Sequence, residues 1–158
     1  MEVRRRRAVR VLLLDRDGRI LLLHGLDPAV PDVSWWITPG GGLESGETDE
    51  SAARRELTEE VGLTGVELGP LVAFGTVTFS FQGQRYEQEQ RYYLARTDRT
   101  DVRLAVGGDA DEHARILEAR WWTAAELRET AETVYPGELP ELLERLITAG
   151  PPVPPVGL

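Results

Sequence analysis

Residues 41–63 read GGLESGETDESAARRELTEEVGL, and this stretch decides the interpretation of the whole chain. Its three acids Glu56, Glu59 and Glu60 fall at i, i+3 and i+4, which places them within an arc of about 100° on one helix face. Like charges at this spacing destabilise a helix by a few tenths of a kcal/mol. A helix with such a face therefore needs positive charge beside it.

The same helix carries an apolar stripe next to its acids. Ala53, Leu57 and Val61 recur every four residues, so the helix can pack on a sheet and still present carboxylates to a cleft. A hard divalent cation, which prefers oxygen ligands and often shares them with a substrate phosphate, would offset the acidic charge. Glutamates with one arginine are by themselves more often solvated helix surface, so the spacing of the whole segment must decide.

Residues around the acids extend the interpretation as a metal site. The glycines at 40–42 lead into the helix, and bare backbone can approach a ligand closely or offer a carbonyl to a metal. Arg55 lies four residues before Glu59 and can hold that carboxylate in orientation. Glu47 is placed to pair with an arginine across the loop.

At this point the segment resembles, without departure, the signature motif of the Nudix hydrolases, which is called the Nudix box. The defining positions are Gly41, Glu47, Arg55, Glu56, Leu57, Glu59, Glu60, Gly62 and Leu63. Nine defined positions in 23 residues make the motif far more specific than a lone glycine-rich loop. The order of strands and helices that we predict on either side is similar to that family as well.

The resemblance implies a fold, a reaction and a set of site residues. The fold is an α/β/α sandwich with a mixed sheet, and the reaction is hydrolysis of a nucleoside diphosphate linked to another group. The residues matching Glu56, Glu59 and Glu60, with the carbonyl of Gly40, bind divalent cations, Mg²⁺ here with Mn²⁺ able to substitute. The residues matching Arg55 and Glu47 form a salt bridge that holds the loop and helix, and Gly41 and Gly62 are structural.

We expect the reaction to be attack of water on a pyrophosphate phosphorus, with metal ions lowering the pKa of that water. The catalytic set is Glu56, Glu59, Glu60 and Arg55, with a general base that is either a box glutamate or an acid elsewhere. Among the loop acids we select Glu112 for that role. A solvated loop carboxylate is an equally good interpretation of Glu112.

Four residues outside the motif are candidates for substrate binding: Trp36, Phe81, Arg85 and Arg91. Of the adjacent Trp35 and Trp36, alternation along a strand sends one to the core and leaves the other able to stack on a base. The arginines are candidates for phosphate contacts, and a solvated strand position is the competing interpretation of each.

The substrate itself is left open by the motif. A nucleoside triphosphate or related nucleotide is the first expectation, and a dinucleoside polyphosphate, a nucleotide sugar or capped RNA is the alternative within the family. A non-catalytic nucleotide-sensing domain is a further alternative, although such domains usually lack box residues and none is missing here.

Apolar periodicity and turn residues predict the remaining elements. Strands are expected at residues 8–14, 19–24, 35–38, 71–81, 86–95 and 117–122, and helices at about 48–61, from Thr123 onward and at 139–148. The PGGG at 39–42 is expected to break any regular element, and 97–113 to be a long loop. Thr123 and Glu126 have the spacing of a capping box.

Composition bounds the class of protein. The 158 residues suit one domain at 1–149 with a Pro-rich tail at 150–158 that is disordered or extended. A net charge of −9 disfavours non-specific nucleic-acid or membrane binding, with the arginines at 4–7 as a local exception. These arginines could contact the outer phosphates of a substrate or an acidic surface of a partner subunit, and we take them for a solvated, partly mobile end. The lack of cysteine suits the cytoplasm, and an apolar stripe at 139–147 leaves a homodimer open.

Overall fold

The computed structural model of the chain describes residues 2–104 and 115–158. Within these residues the chain forms nine strands and three helices. The strands are β1 (Val3–Leu14), β2 (Ile20–Leu26), β3 (Ser34–Ile37), β4 (Gly40–Gly42), β5 (Leu68–Phe81), β6 (Gln84–Arg96), β7 (Arg115–Trp122), β8 (Val134–Tyr135) and β9 (Val156–Gly157). The helices are α1 (Asp49–Val61), α2 (Ala124–Glu129) and α3 (Leu139–Thr148).

Strand β1 is the centre of a mixed sheet whose order is β8, β3, β2, β1, β6, β5 and β9. It runs parallel to β6 from the pair Val3 and Arg85 to the pair Leu14 and Arg96. Strand β4 pairs antiparallel with the other edge of β1, and β7 pairs antiparallel with β2. The unbroken apolar run at residues 11–14, which ends β1, fits a strand covered on both faces.

Alternating side chains of β1 point to two different hydrophobic cores. Val9, Val11 and Leu13 lie in the core that contains α1, whereas Leu12 and Leu14 lie in the core that contains α2 and α3. Helices therefore cover both faces of a mixed sheet. This confirms the predicted α/β/α sandwich.

Helix α1 begins and ends at residues that stop a helix for identifiable reasons. Thr48 is its N-cap, and its side chain accepts a hydrogen bond from the backbone N–H of Ser51. Gly62 follows the helix with φ +68°, a left-handed conformation that glycine adopts without steric cost. The predicted bounds of this helix and the capping box between Thr123 and Glu126 are both confirmed.

Two expectations about β1 and its neighbour were wrong. The arginines at 4–7 are not a mobile end, because β1 begins at Val3 and is paired with β6 along its whole length. The glycines of PGGG do not end regular structure, because Gly40–Gly42 forms β4, in which Gly40 lies opposite Arg10. In both cases pairing with a strand distant in sequence overrides the local signal.

The Pro-rich tail, predicted to be disordered or extended, is extended in its last residues. Val156 and Gly157 pair in parallel with Ala73 and Phe74 of β5, and Pro152 is buried. The backbone N–H of Leu158 donates to the carbonyl of Phe74. The tail is therefore extended and covers part of the outer edge of β5.

The helices are short. They contain 13, 6 and 10 residues, whereas a helix that crosses a bilayer needs about 20. No helix within residues 2–104 and 115–158 is long and apolar enough to cross a membrane.

Candidate active site

Strand β4 brings bare backbone against the acids of α1. A Cβ atom on Gly40 would lie 2.0 Å from the carbonyl oxygen of Val9, and one on Gly41 would lie 2.5 Å from Oε1 of Glu56. The N–H of Gly40 donates to Oε1 of Glu60 at 2.8 Å. Glu56 and Glu60 are thus gathered around two positions at which only glycine fits.

Arg55 is the hub of the hydrogen bonds that hold this arrangement. Its Nε and Nη2 donate to the two carboxylate oxygens of Glu47 at 2.8 and 2.9 Å, and Nη2 also donates to the carbonyl of Gly42 at 3.1 Å. Its Nη1 donates to Glu56 at 3.1 Å and to Glu59 at 3.3 Å. One guanidinium therefore joins the loop after β4 to the acidic face of α1.

These contacts keep both partners of the central ion pair charged. Hydrogen bonds from Arg55 and from the backbone N–H of Glu44 lower the pKa of Glu47 to about 2. The hydrogen bond to Glu47, followed by the charge of Glu56, raises the pKa of Arg55. Arg55 thus offsets part of the repulsion between the glutamates. The positive charge that the acidic face needs is therefore supplied in part by the protein itself, and a bound cation would add to it.

The residues at this site fit a hard divalent cation by their chemistry. Three carboxylates and the carbonyl of Gly40 offer the oxygen ligands that Mg²⁺ prefers, and the absent side chain of Gly41 leaves room for the carboxylate of Glu56 to lie against β4. Within residues 2–104 and 115–158, no three acidic or histidine side chains already converge as a metal centre. Glu59, whose side chain is 55% exposed, lies against Arg55 and is the acid that would have to turn.

A second set of contacts fixes the start of α1 on the sheet. Oδ2 of Asp49, in the first turn, accepts hydrogen bonds from Nη1 of Arg91 at 3.0 Å and from the hydroxyl of Tyr93. Burial, followed by the hydrogen bond to Asp49, raises the pKa of Tyr93 to about 12. Arg91, which we selected above for substrate binding, therefore forms a hydrogen bond to the first turn of α1.

The sequence alone does not predict this tether. Asp49 lies in the first turn of α1, where an acid favours the positive end of the helix dipole whether or not it has a partner on the sheet. Arg91 and Tyr93 stand two residues apart on β6 and so share a face, but nothing in the sequence shows that this face meets Asp49.

Trp36 is the buried tryptophan of the pair, so its assignment as a base-stacking residue was wrong. It is 1% exposed, lies parallel to the ring of His24 with centroids 4.5 Å apart, and meets Trp122 edge to face. Its Nε1 donates to Glu132. Trp35 is half-buried and faces the opposite side of β3.

Phe81 and Arg85 lie at the far end of the hairpin formed by β5 and β6. Gly42 lies opposite Ala8, which lies opposite Gln90, and Arg85 is five residues further along β6. Five residues of strand span about 17 Å, so neither side chain is brought to the glutamates. Phe81 is 9% exposed and is a packing residue. Phe81 is therefore not available for substrate binding, whereas the assignment of Arg85 stays a prediction.

The remaining candidate base, Glu112, lies outside the described residues. The structure therefore brings together Gly40, Gly41, Glu47, Arg55, Glu56, Glu59 and Glu60. Gly62 ends the helix on which four of these residues lie.

Comparison with known proteins agrees with this geometry. The family model for the NUDIX domain matches residues 4–144. The chain belongs to the Nudix family. Membership confirms the resemblance carried by the box and, with it, the prediction of a pyrophosphate-cleaving Nudix hydrolase.

Relatives and a solved structure place this Nudix chain more closely. An RNA pyrophosphohydrolase of Roseobacter denitrificans is 32% identical over 78% of this chain and 80% of its own length. One from Erythrobacter litoralis is 29% identical over 90% of this chain and 83% of its own. The crystal structure of MutT protein from Methanosarcina mazei, 22% identical, covers 93% of this chain and 96% of its own with a TM-score of 0.66, which supports the fold.

Proposed function

We propose that the chain is a divalent-metal-dependent hydrolase that cleaves a pyrophosphate bond in a nucleoside diphosphate linked to another group. The observation that carries this proposal is the gathering of Glu56 and Glu60 against the side-chain-free backbone of Gly40 and Gly41. Family membership supports the same reaction.

The residues of this site have two roles: some would hold the metal, and others hold the loop and helix in place. Glu56, Glu59, Glu60 and the carbonyl of Gly40 would hold Mg²⁺ or Mn²⁺, which when bound lowers the pKa of the attacking water and neutralises phosphate charge. Arg55 and Glu47 keep loop and helix in place, since their ion pair ties the carbonyl of Gly42 to α1.

A base must take the proton from the attacking water. Among the described glutamates, Glu59 has a side chain that is 55% exposed, whereas that of Glu56 is 1% exposed. Water therefore reaches Glu59 more readily, and we assign Glu59 the role of general base. Glu112 is the alternative candidate for that role.

The substrate class has two candidates. A nucleoside triphosphate or a related nucleotide is the simplest compound with the required bond. The second candidate is RNA with a 5′ pyrophosphate linkage, and it is favoured by the two relatives named RNA pyrophosphohydrolase, which cover most of this chain.

The test is a panel of nucleoside triphosphates, dinucleoside polyphosphates, nucleotide sugars and 5′-triphosphorylated RNA, incubated with Mg²⁺ or Mn²⁺ and scored for phosphate and pyrophosphate release. We expect EDTA to abolish turnover. Glu60→Gln should reduce kcat by about a thousandfold or more, because it removes a carboxylate that would hold the metal at the reacting phosphates.

Glu50→Gln is the matched control for that variant. Glu50 lies on the same helix, and its exposed side chain forms an ion pair with the solvent-facing Arg54 at 2.7 Å. Full activity of Glu60→Gln, or equal losses in the two variants, would contradict the proposal. Urea unfolding of both variants separates lost chemistry from lost structure.

A further inference from the structure

The four arginines at the start of β1 are divided between the two faces of the sheet. Arg5 and Arg7 point to one face, where Glu87 and Glu89 lie opposite them at 3.6 and 3.9 Å. Arg4 and Arg6 point to the other. The neighbouring strand positions on that second face are all uncharged: Tyr86, Gln88 and Gln90 on β6, and Val77 and Phe79 on β5.

Two aromatic rings lie beside Arg4 and Arg6 on this face. Phe79 and Tyr86 are cross-strand partners whose rings stack with centroids 5.3 Å apart and planes 20° from parallel. The guanidinium carbon of Arg6 lies 4.6 Å from the centroid of Tyr86 and 5.7 Å from that of Phe79. Arg4 is the strand partner of Tyr86 on its other side. We call these four residues the aromatic–arginine strip.

Buried amides hold the strip in its orientation. Nε of Arg6 donates to Oε1 of Gln88, Gln88 donates to Gln90, and Gln90 donates to the hydroxyl of Tyr92. Gln88 is 0% exposed and Gln90 is 6% exposed. Because the amides are fixed by packing, the guanidinium of Arg6 is pre-organised over the rings.

The strip lies on the face of β1 opposite α1 and approaches the active site at β4, which pairs with β1. A Cβ atom on Gly42 would lie 3.7 Å from Cδ of Arg6, so the side chain of Arg6 passes directly over β4. Gly42 is two residues, or about 7 Å of strand, from Gly40, which holds Glu60. Tyr86 lies four residues of β6, or about 13 Å, from Gln90, which is level with Gly42. A substrate whose phosphates lie at the glutamates would therefore cross β4 and need several nucleotides to reach the rings of the strip.

We propose that the aromatic–arginine strip binds single-stranded RNA that extends from the active site, with unpaired bases stacked on Tyr86 and Phe79 and backbone phosphates at Arg4. Stacked aromatics next to arginines on a sheet bind single strands with little sequence preference, since every base has a π-face. The net charge of −9 disfavours binding of nucleic acid to the rest of the surface. We therefore expect RNA to bind at the strip and not elsewhere.

This inference deepens the proposed function and rests on it for the choice of RNA as substrate. It can nevertheless be tested without hydrolysis, by fluorescence anisotropy of a labelled single-stranded RNA of about eight nucleotides with a 5′ hydroxyl. The double variant Phe79→Leu, Tyr86→Leu should weaken binding by about tenfold or more, because each base stack on an aromatic contributes that order of affinity. A duplex RNA should bind much less well than the single strand.

Matched controls are provided by the opposite face of the same strands. Phe74→Leu removes an exposed aromatic from the other face of β5 and should change affinity by less than about twofold. Arg4→Gln should reduce the slope of log affinity against log salt by about 0.7, whereas Arg5→Gln, which removes the same charge from the face of Glu87, should leave it unchanged.

Hydrolysis gives the second readout. The double variant should raise KM for 5′-triphosphorylated RNA by a larger factor than KM for a nucleoside triphosphate. The inference is overturned if the wild-type protein does not bind the RNA, if Phe74→Leu weakens binding as much as the double variant, or if duplex RNA binds equally well.

The two proposals fail in different ways. If RNA binding depends on the strip but no substrate releases phosphate or pyrophosphate, the proposed function is refuted and the inference that the strip binds RNA still holds. Hydrolysis of nucleotides and RNA with no dependence on the strip would do the reverse. Urea midpoints of each variant establish that the loss is not one of folding.

Discussion

Two sets of arginine–glutamate pairs, one between β1 and β6 and one in the Nudix box, differ in almost every physical respect. At the start of β1 and β6, Arg5 and Arg7 approach Glu87 and Glu89 to 3.6 and 3.9 Å, and the side chain of Arg5 is 84% exposed. In the Nudix box, Arg55 is 18% exposed and makes bonds of 2.8 to 3.3 Å to several groups.

The difference shows which pairs are structural. An exposed pair at long distance gains little, because water screens it and two long side chains must be ordered. A two-pronged guanidinium that also bonds a buried carboxylate and a backbone carbonyl cannot be lost without leaving those groups unsatisfied. The box pairs should therefore dominate stability and site geometry, and the surface pairs should be nearly silent.

Arg55→Lys should have the largest effect. A single ammonium cannot reproduce the two bonds to Glu47 together with those to Glu56 and Gly42. We expect the free energy of unfolding to fall by about 3 kcal/mol and activity to fall with it. Urea unfolding and steady-state kinetics measure the two effects.

Arg54→Lys is the control for that prediction, because it makes the same replacement one residue earlier in α1. Arg54 is 55% exposed and pairs with Glu50 at 2.7 Å along the helix. Its effect should stay within about 0.5 kcal/mol. Equal effects of the two substitutions would show that the box pairs have no special weight.

Acid should remove the stability that Glu47 contributes to the box. The pKa of Glu47 is lowered from 4.5 to about 2 in the folded protein, so its contribution to stability is complete above about pH 4.5 and is lost as the pH falls towards 2. Glu47→Gln should therefore be less stable than the wild type at pH 6, with a difference that shrinks at pH 3.

Urea unfolding at pH 6, 4 and 3 measures that convergence. Glu87→Gln serves as the control, since Glu87 pairs with Arg5 at the surface. A gap between Glu47→Gln and the wild type that stays constant from pH 6 to pH 3 would contradict the lowered pKa.

The part of the fold that could be predicted from sequence is the part set by local signals. Helix α1 has its cap at Thr48 and its stop at Gly62, and both signals lie within one turn of the helix. Strand β4 could not be predicted, because Gly40–Gly42 has no strand propensity of its own and is paired by β1. The tail at Val156 is paired by β5 in the same way.

The same distinction between local signals and long-range contacts applies to the candidate site. Glu47, Arg55 and the glutamates lie within 14 residues of one motif, so their spacing alone predicts that they meet. Alternation shows that Trp35 and Trp36 face opposite ways, but it does not say which face is the core. The contact between Asp49 and Tyr93 joins residues 44 apart in the chain, and no local pattern predicts it.

Tyr93→Phe tests that long-range contact, and its effect should be intermediate. The hydroxyl of Tyr93 donates to Asp49, which keeps its hydrogen bond from Arg91 in the variant. We expect a loss of about 1 kcal/mol in the free energy of unfolding, measured in urea. Tyr135→Phe, at a tyrosine that is 53% exposed, should lose almost nothing. Equal stabilities of the two variants would show that Asp49 does not hold α1 to β6.

The surface pairs should give the smallest effect of all. Arg7→Gln breaks a contact of 3.9 Å between side chains that are 59% and 53% exposed, and we expect a change in the free energy of unfolding within about 0.5 kcal/mol. That small change should disappear in about 1 M salt, because the screening length there is about 3 Å. Urea unfolding at low and high salt measures it, with Glu89→Gln as the reciprocal variant. A loss comparable to that of Arg55→Lys would mean that pairing along β1 and β6, and not burial in the box, determines which arginines hold the fold together.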